Sequence, residues 1–354
     1  MDINIIQKDI LKTIEKSVQS GQIANSYIFH GKPGSGKEAV VFEFVKKITL
    51  TEKEDFLKNG NIFFLAPGKK EFYQKLFKSK SIDTDESHQW NSFLRNKIYN
   101  SFDSQSLDES KNIPIEAIRN LKENIYFKST KRKIVIIFNA EYLSSGGAES
   151  ANMLLKIIEE PPANTTFILI SNSLNKVKDT IQSRCQKICV PIIDDYVFTD
   201  LAQINKNFST NFLKFITDKN LHELKKFDLY DEEHVLDIIK NFFNAIRYKN
   251  AESISNFSNE IIKMYANSKT DFQHNFLIIK KFIKYMIIIK SNTSIDIKFF
   301  EFHELAEIIN KKYGELDHVM LINEIDSFIS SFDRNANSSI SVMNMIINSN
   351  KALN

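Results

Sequence analysis

The sequence predicts a mostly parallel α/β core followed by an all-helical remainder, and three observations carry that prediction. Short apolar strand-like runs alternate with helical spacings as far as residue 190. The first of those runs ends in a glycine-rich loop that opens a helix, and after Pro191 the strand-like runs cease. Parallel strands need crossover connections, so this alternation implies a sheet with helices on both faces.

Each element has its own signal. A first helix is expected over residues 5–18, where Ile10, Leu11, Ile14 and Val18 recur at helical spacing, and Gly21 closes it. Residues 27–30 read as a short buried strand, 31–36 as a Gly/Pro/Ser loop and 37–48 as a helix. A second strand covers residues 62–65 and ends at Pro67-Gly68, after which residues 71–111 show no clear period. Pro114 opens a helix that runs to Ile125 with Ile115, Ile118, Leu121 and Ile125 on one face. Residues 134–138 form a third strand, 151–160 a helix stopped by Pro161-Pro162, 167–170 a fourth strand and 187–190 a fifth. Beyond residue 197 the spacing is helical, as in Val235, Ile238, Ile239, Phe242, Phe243 and Ile246. This divides the chain into a core at 1–190, a small helical domain at 191–245 and a helical bundle at 246–354. The bundle's apolar face at Phe276, Ile279 and Phe282 requires either partner helices or a closed core.

Composition excludes several classes. With 354 residues, 42% hydrophobic and 26% charged, the chain can bury sizeable cores and is far from the disordered regime. Forty-seven basic against 44 acidic residues leave a net charge of +3, too balanced for nucleic-acid binding by bulk charge. The longest apolar stretch, residues 276–289, is broken by Lys280, Lys281 and Lys284 and does not read as a membrane span. Two cysteines, Cys185 and Cys189, and an N-terminus without a basic and apolar leader point to a cytoplasmic setting.

Gly31-Lys32-Pro33-Gly34-Ser35-Gly36-Lys37 fits the phosphate-binding loop G-x-x-x-x-G-K, and it follows a strand and opens a helix as that loop must. Its glycines let backbone N–H groups surround phosphate, and Lys37 supplies the charge. The next position should be a Ser or Thr that holds Mg²⁺, and here it is Glu38. The acidic pair expected at the end of the third strand is replaced by Phe138 and Asn139, while Glu141, two residues on, reads as a solvated charge. With the hydroxyl, the metal-binding aspartate and the water-orienting acid all missing, hydrolysis at this site is expected to be negligible. Nucleotide binding through Gly31, Gly34, Gly36 and Lys37 remains open, and no cofactor is required.

Thr180-Ile181-Gln182-Ser183-Arg184-Cys185 lies between the fourth and fifth strands and sets an arginine at the sheet rim. Together with Glu159-Glu160-Pro161-Pro162 and Thr166-Phe167-Ile168-Leu169-Ile170, this stretch resembles the AAA+ clamp-loader family, within it the delta-prime branch of bacterial DNA polymerase III loaders. The resemblance covers about residues 5–190. It implies an AAA+ core, a helical lid and an all-α collar domain. It implies that Arg184 reaches the ATP of a neighbouring subunit as an arginine finger. It implies partners of the gamma/tau-like and delta-like kinds, a sliding clamp and primed DNA. Ser171 and Asn172 fall near the family's sensor position. Many members carry a four-cysteine zinc module after the loop helix; no cysteine precedes residue 185 here, so zinc is excluded there. Lys128, Lys131, Arg132 and Lys133 read first as a solvated loop before a strand, with phosphate contacts as the alternative, and Ser144-Ser145-Gly146-Gly147 forms a loop of unassigned purpose. Two other readings stay open: an active loader ATPase, and a P-loop regulatory protein outside replication.

Overall fold

A computed structural model of the chain describes residues 3–78, 84–102, 107, 110–145, 147–247, 251–291, 300–333 and 337–353. It separates into two compact units, one of residues 1–197 with 220–222 and one of residues 198–219 with 223–354. The residues of the expected lid and collar therefore fall largely in the second unit.

The first unit is built on a five-stranded sheet among the described residues, in the order β2-β3-β4-β1-β5. The strands are β1 (Ser26–His30), β2 (Ile62–Leu65), β3 (Lys133–Ile137), β4 (Thr165–Ser171) and β5 (Gln186–Cys189), and every pairing is parallel. β3 and β4 are buried along their whole length, which is why their sequences run apolar without alternation. β5 is an edge strand, and it exposes Gln186, Lys187 and Cys189.

The helices of this unit are α1 (Ile3–Ile6), α2 (Lys8–Gln19), α3 (Lys37–Thr49), α4 (Lys70–Lys78), α5 (Asp85–Tyr99), α6 (Ile115–Ile125), α7 (Glu149–Glu159) and α8 (Asp179–Gln182). The first helix is interrupted at Gln7, and Pro114 serves as the cap of α6 rather than its first residue. The segment 71–111, expected to lack a period, holds α4 and α5; its residues 79–83, 103–106, 108 and 109 are outside those described. Its sequence hides the helices because packing decides them: Thr84 caps α5 by accepting from the Ser87 amide, and Phe93 and Leu94 turn inward. Gly146 of the 144–147 loop also lies outside the described residues.

An aromatic cluster joins these layers. Phe138, just past β3, stacks parallel to Phe64 at 6.3 Å and meets Phe42 of α3 and Phe93 of α5 edge-on at 6.3 and 5.9 Å. Trp90 stacks on Phe93, and Tyr73 of α4 contacts Trp90. The buried Tyr73 hydroxyl donates to the carbonyl of Ala66 and accepts from its amide, so it ties α4 to the turn after β2.

The second unit contains most of α9 (Asp195–Ala202), then α10 (Thr210–Thr217), most of α11 (Leu221–Lys226), α12 (Glu232–Arg247), α13 (Ala251–Asn267), α14 (Lys269–Lys290), α15 (Phe300–Lys312), α16 (His318–Asp333) and α17 (Ser338–Lys351). Helix α14 packs against α12, α13, α15 and α16 and so forms its axis. Phe276, Ile279 and Phe282 are buried within this unit, which closes the apolar face left open by the sequence. Phe272 and Phe276 meet Phe328 of α16, and Phe282 meets Phe302 of α15. Lys281 is buried on the same helix, where its ammonium donates to the Phe215 carbonyl at 2.9 Å and pairs with Asp218 at 2.5 Å. Burial still pulls its pKa down.

Phe138→Ala removes the ring that joins β2, α3 and α5, and should cost about 3–5 kcal/mol of stability in the first unit. The lowered urea midpoint can be followed through Trp90, the one tryptophan of the sequence. A midpoint within error of wild type would show that the cluster adds nothing.

Candidate functional site

The glycine loop leaves the C-terminal end of β1 and enters α3 at Gly36. Gly34 and Gly36 have φ of +76° and +84°, a region that L side chains rarely adopt. Gly31 is required for a different reason: a Cβ there would stand 2.1 Å from the Val190 carbonyl oxygen. A Cβ at Gly34 would stand 1.9 Å from Asn220 Oδ1, and at Gly36 3.0 Å from a Phe102 ring atom. The loop is therefore enclosed by Val190, Asn220 and Phe102. Gln7, buried at the break between α1 and α2, donates from Nε2 to the Ser35 and Pro191 carbonyls, each at 2.8 Å.

Lys37 is almost fully buried, and its ammonium donates to the carbonyl of Lys32 at 2.8 Å, closing the loop onto itself. Burial lowers its pKa, Glu38 and Glu141 act the other way, and Lys97 adds to the lowering. The side chain that would neutralise phosphate is thus present but committed to its own loop.

The metal positions are filled with other chemistry. Mg²⁺ in P-loop sites is held by the Ser or Thr after the lysine and by an aspartate at the strand end. Here Glu38 takes the first position, and Phe138, 1% exposed among aromatic rings, takes the second. A ring has no lone pair to offer, and with a lysine ammonium also turned toward Glu38 these residues do not fit the ion. Lys97 of α5, also buried, brings its ammonium to 3.9 Å from Glu38 Oε1.

Glu141 corrects the expectation of a solvated charge. It is 7% exposed and accepts from the backbone amide of Asn172 at 3.3 Å and from its side-chain amide at 3.2 Å. Asn139 adopts a left-handed φ of +49°, which turns the chain so that Glu141 points inward. The carboxylate thereby fixes the end of β4, where Ser171 accepts from the Ser173 amide and donates to its carbonyl.

Arg184 sits after α8 with its side chain 41% exposed. It pairs with Glu159 of the Glu-Glu-Pro-Pro stretch at 2.6 Å and donates to the Thr180 carbonyl at 3.1 Å. Cys185 beside it is buried and Cys189 is exposed.

The basic cluster is divided by the structure. Lys133 opens β3 and is buried, donating to the carbonyls of Ile125 and Phe127 at the end of α6, so it is no phosphate contact. Arg132 donates to the Thr166 hydroxyl at 2.9 Å, and Lys128 and Lys131 are exposed. Sequence reasoning missed Gln7, Lys97, Phe102 and Asn220 around the loop, because none of them belongs to a motif and each is brought there by distant chain.

Residues 65–193 match the family model described as DNA polymerase III, delta subunit. DNA polymerase III subunit gamma of Buchnera aphidicola subsp. Schizaphis graminum is 27% identical over 245 residues, which are 67% of this chain and 59% of that protein. DNA polymerase III subunit delta′ of Bacillus subtilis is 26% identical over 187 residues, 53% of this chain and 48% of the relative. This chain thus spans about half to three-fifths of these relatives. A solved DNA polymerase III gamma-subunit-related protein from Thermotoga maritima aligns over 98% of this chain and 100% of its own at 14% identity, with a TM-score of 0.48.

The burial of Cys185 has a measurable consequence. Burial pushes its thiol up to about 12, and at pH 8 that leaves a thiolate fraction of about 10⁻⁴. Iodoacetamide at pH 8 should label Cys189 in the native chain and Cys185 only after denaturation, read by peptide mass spectrometry. Equal native labelling of both would show that the Cys185 thiol is not buried in this way.

Proposed function

We propose that this chain is a non-hydrolysing, delta-prime-like subunit of a DNA polymerase III clamp loader; the reading is supported by the match of residues 65–193 to the delta-subunit family model and by the gamma and delta′ relatives. In this reading it assembles with gamma/tau-like and delta-like subunits, and the assembly places a sliding clamp on primed DNA. The chain scaffolds the assembly and presents Arg184 to the ATP of a neighbour. The observation that carries the reading is the replacement of both metal-binding positions, by Glu38 and by a buried Phe138, beside an accessible Arg184. An active gamma-type ATPase would need ligands at those positions.

Assembly requires a surface as well. On α17, Ile340, Met343 and Ile347 are exposed at helical spacing, and they offer an apolar stripe that the unit does not cover among the described residues. We assign neighbour contact to this stripe in preference to the buried Phe276 face. Met343→Lys with Ile347→Lys should block incorporation into a reconstituted loader while leaving the chain's own melting temperature within about 2 °C, as expected for surface substitutions. Incorporation at wild-type level, seen by gel filtration, would remove α17 from the interface.

The central test sets two basic residues against each other. In a loader reconstituted with one preparation of the other subunits, Arg184→Ala should lower DNA-stimulated ATP hydrolysis at the neighbour's site by about 10³, without preventing assembly. Lys37→Ala should leave turnover nearly unchanged. A greater loss from Lys37→Ala would mean that the chain hydrolyses its own nucleotide, and the proposal would fall.

A further inference from the structure

The disagreement between Glu38, Phe138 and a divalent ion has a positive side. In a P-loop site the ion lies between the residue after the loop lysine and the residue at the strand end. Among the described residues, Lys97 of α5 brings its ammonium near the side chains at both places. Lys97 Nζ stands 3.9 Å from Glu38 Oε1 and 6.0 Å from the centroid of the Phe138 ring, with the Phe93 ring centroid at 5.8 Å. Its side chain is 5% exposed, so water does little to screen it. Glu38, 20% exposed, gives it the carboxylate, and the two ring faces give a cation what they can. Lys37 directs its ammonium to the Lys32 carbonyl and closes the loop onto itself.

We propose that the Lys97 ammonium is a built-in substitute for the divalent ion of this site. Helix α5 carries it in, and Phe102 beyond the end of that helix lies against Gly36, so the segment that brings the charge also covers the loop. Three departures from the P-loop pattern then form one set. Glu38 replaces a hydroxyl because its partner is an ammonium rather than a hydrated ion. Phe138 stands where an aspartate would, and its aromatic face tolerates a cation without adding a negative charge. Lys97 completes the set from a segment without any motif. The consequence is a glycine loop whose shape does not depend on Mg²⁺. This holds whether or not Arg184 acts on a neighbour, because it concerns only the chain's own loop.

The test uses the full chain and the metal alone as probe, with thermal melting followed by Trp90 fluorescence. Wild type should show no shift in Tm with millimolar MgCl₂ beyond that of KCl at equal ionic strength. Lys97→Ala should melt about 5–10 °C lower, as expected when one partner of a buried ion pair is removed. MgCl₂ should then recover part of that loss. Lys97→Ala with Glu38→Gln should recover part of it without metal and should no longer respond to Mg²⁺. Lys97→Arg, which keeps the charge, should remain insensitive like wild type. Should Lys97→Ala fail to fold, Glu38→Ser decides: it restores the usual hydroxyl while Lys97 stays, and it should still show no Mg²⁺ response. A Mg²⁺-dependent rise in wild type or in Glu38→Ser overturns the proposal, as does a folded Lys97→Ala that Mg²⁺ leaves unchanged.

Discussion

The packing of Phe138 governs the first unit. At the end of β3, where a nucleotide-hydrolysing chain would keep a charged side chain facing solvent and metal, this ring is buried against Phe42, Phe64 and Phe93. Once that position is apolar, burying it is worth about 2–3 kcal/mol, and the helix that covers it gains a docking place. That helix is α5, and its docking is what carries Lys97 and Phe102 over the glycine loop. The loss of a ligand and the closing of the loop are therefore two sides of one packing choice.

Much of this was legible in sequence, and the exceptions share a cause. The strands appear as continuous apolar runs because both faces are covered, and the glycine loop announces itself by residues that only its backbone conformation requires. The helices of 71–111 could not be read, since Trp90, Phe93 and Leu94 find Tyr73, Phe138 and Leu121 as neighbours only in the folded chain. Glu141 and Lys133 misled for a related reason. A charged residue beside a strand reads as solvated, yet each is buried and satisfied locally, Glu141 by Asn172 and Lys133 by two carbonyls at the end of α6. At the site, the loop and the arginine were visible as motifs, whereas the Arg184–Glu159 pair needed coordinates.

Three of the buried lysines share one solution. Lys37, Lys133 and Lys281 each direct the ammonium at a backbone carbonyl, those of Lys32, Ile125 and Phe215 respectively. Lys133 and Lys281 in this way donate to carbonyls at or just beyond a helix end, where the backbone acceptors of the last turn have no intrahelical donor. Arg184 differs from all three in being accessible, and its carboxylate partner is exposed as well. Such a pair is weak and can exchange partners at little cost.

The side-chain amide of Gln7 bonds to carbonyls 28 and 184 positions along the chain. Closing so long a stretch carries a large entropy cost that is repaid only when the sheet between the two ends already exists. Until β5 has paired with β1 and carried Pro191 into place, that amide has one of its two acceptors missing. The glycine loop is therefore held in its final form by chain that reaches it only through the pairing of β5 with β1. An edge strand thus secures the loop that follows its neighbour β1 through one side chain near the start of the chain.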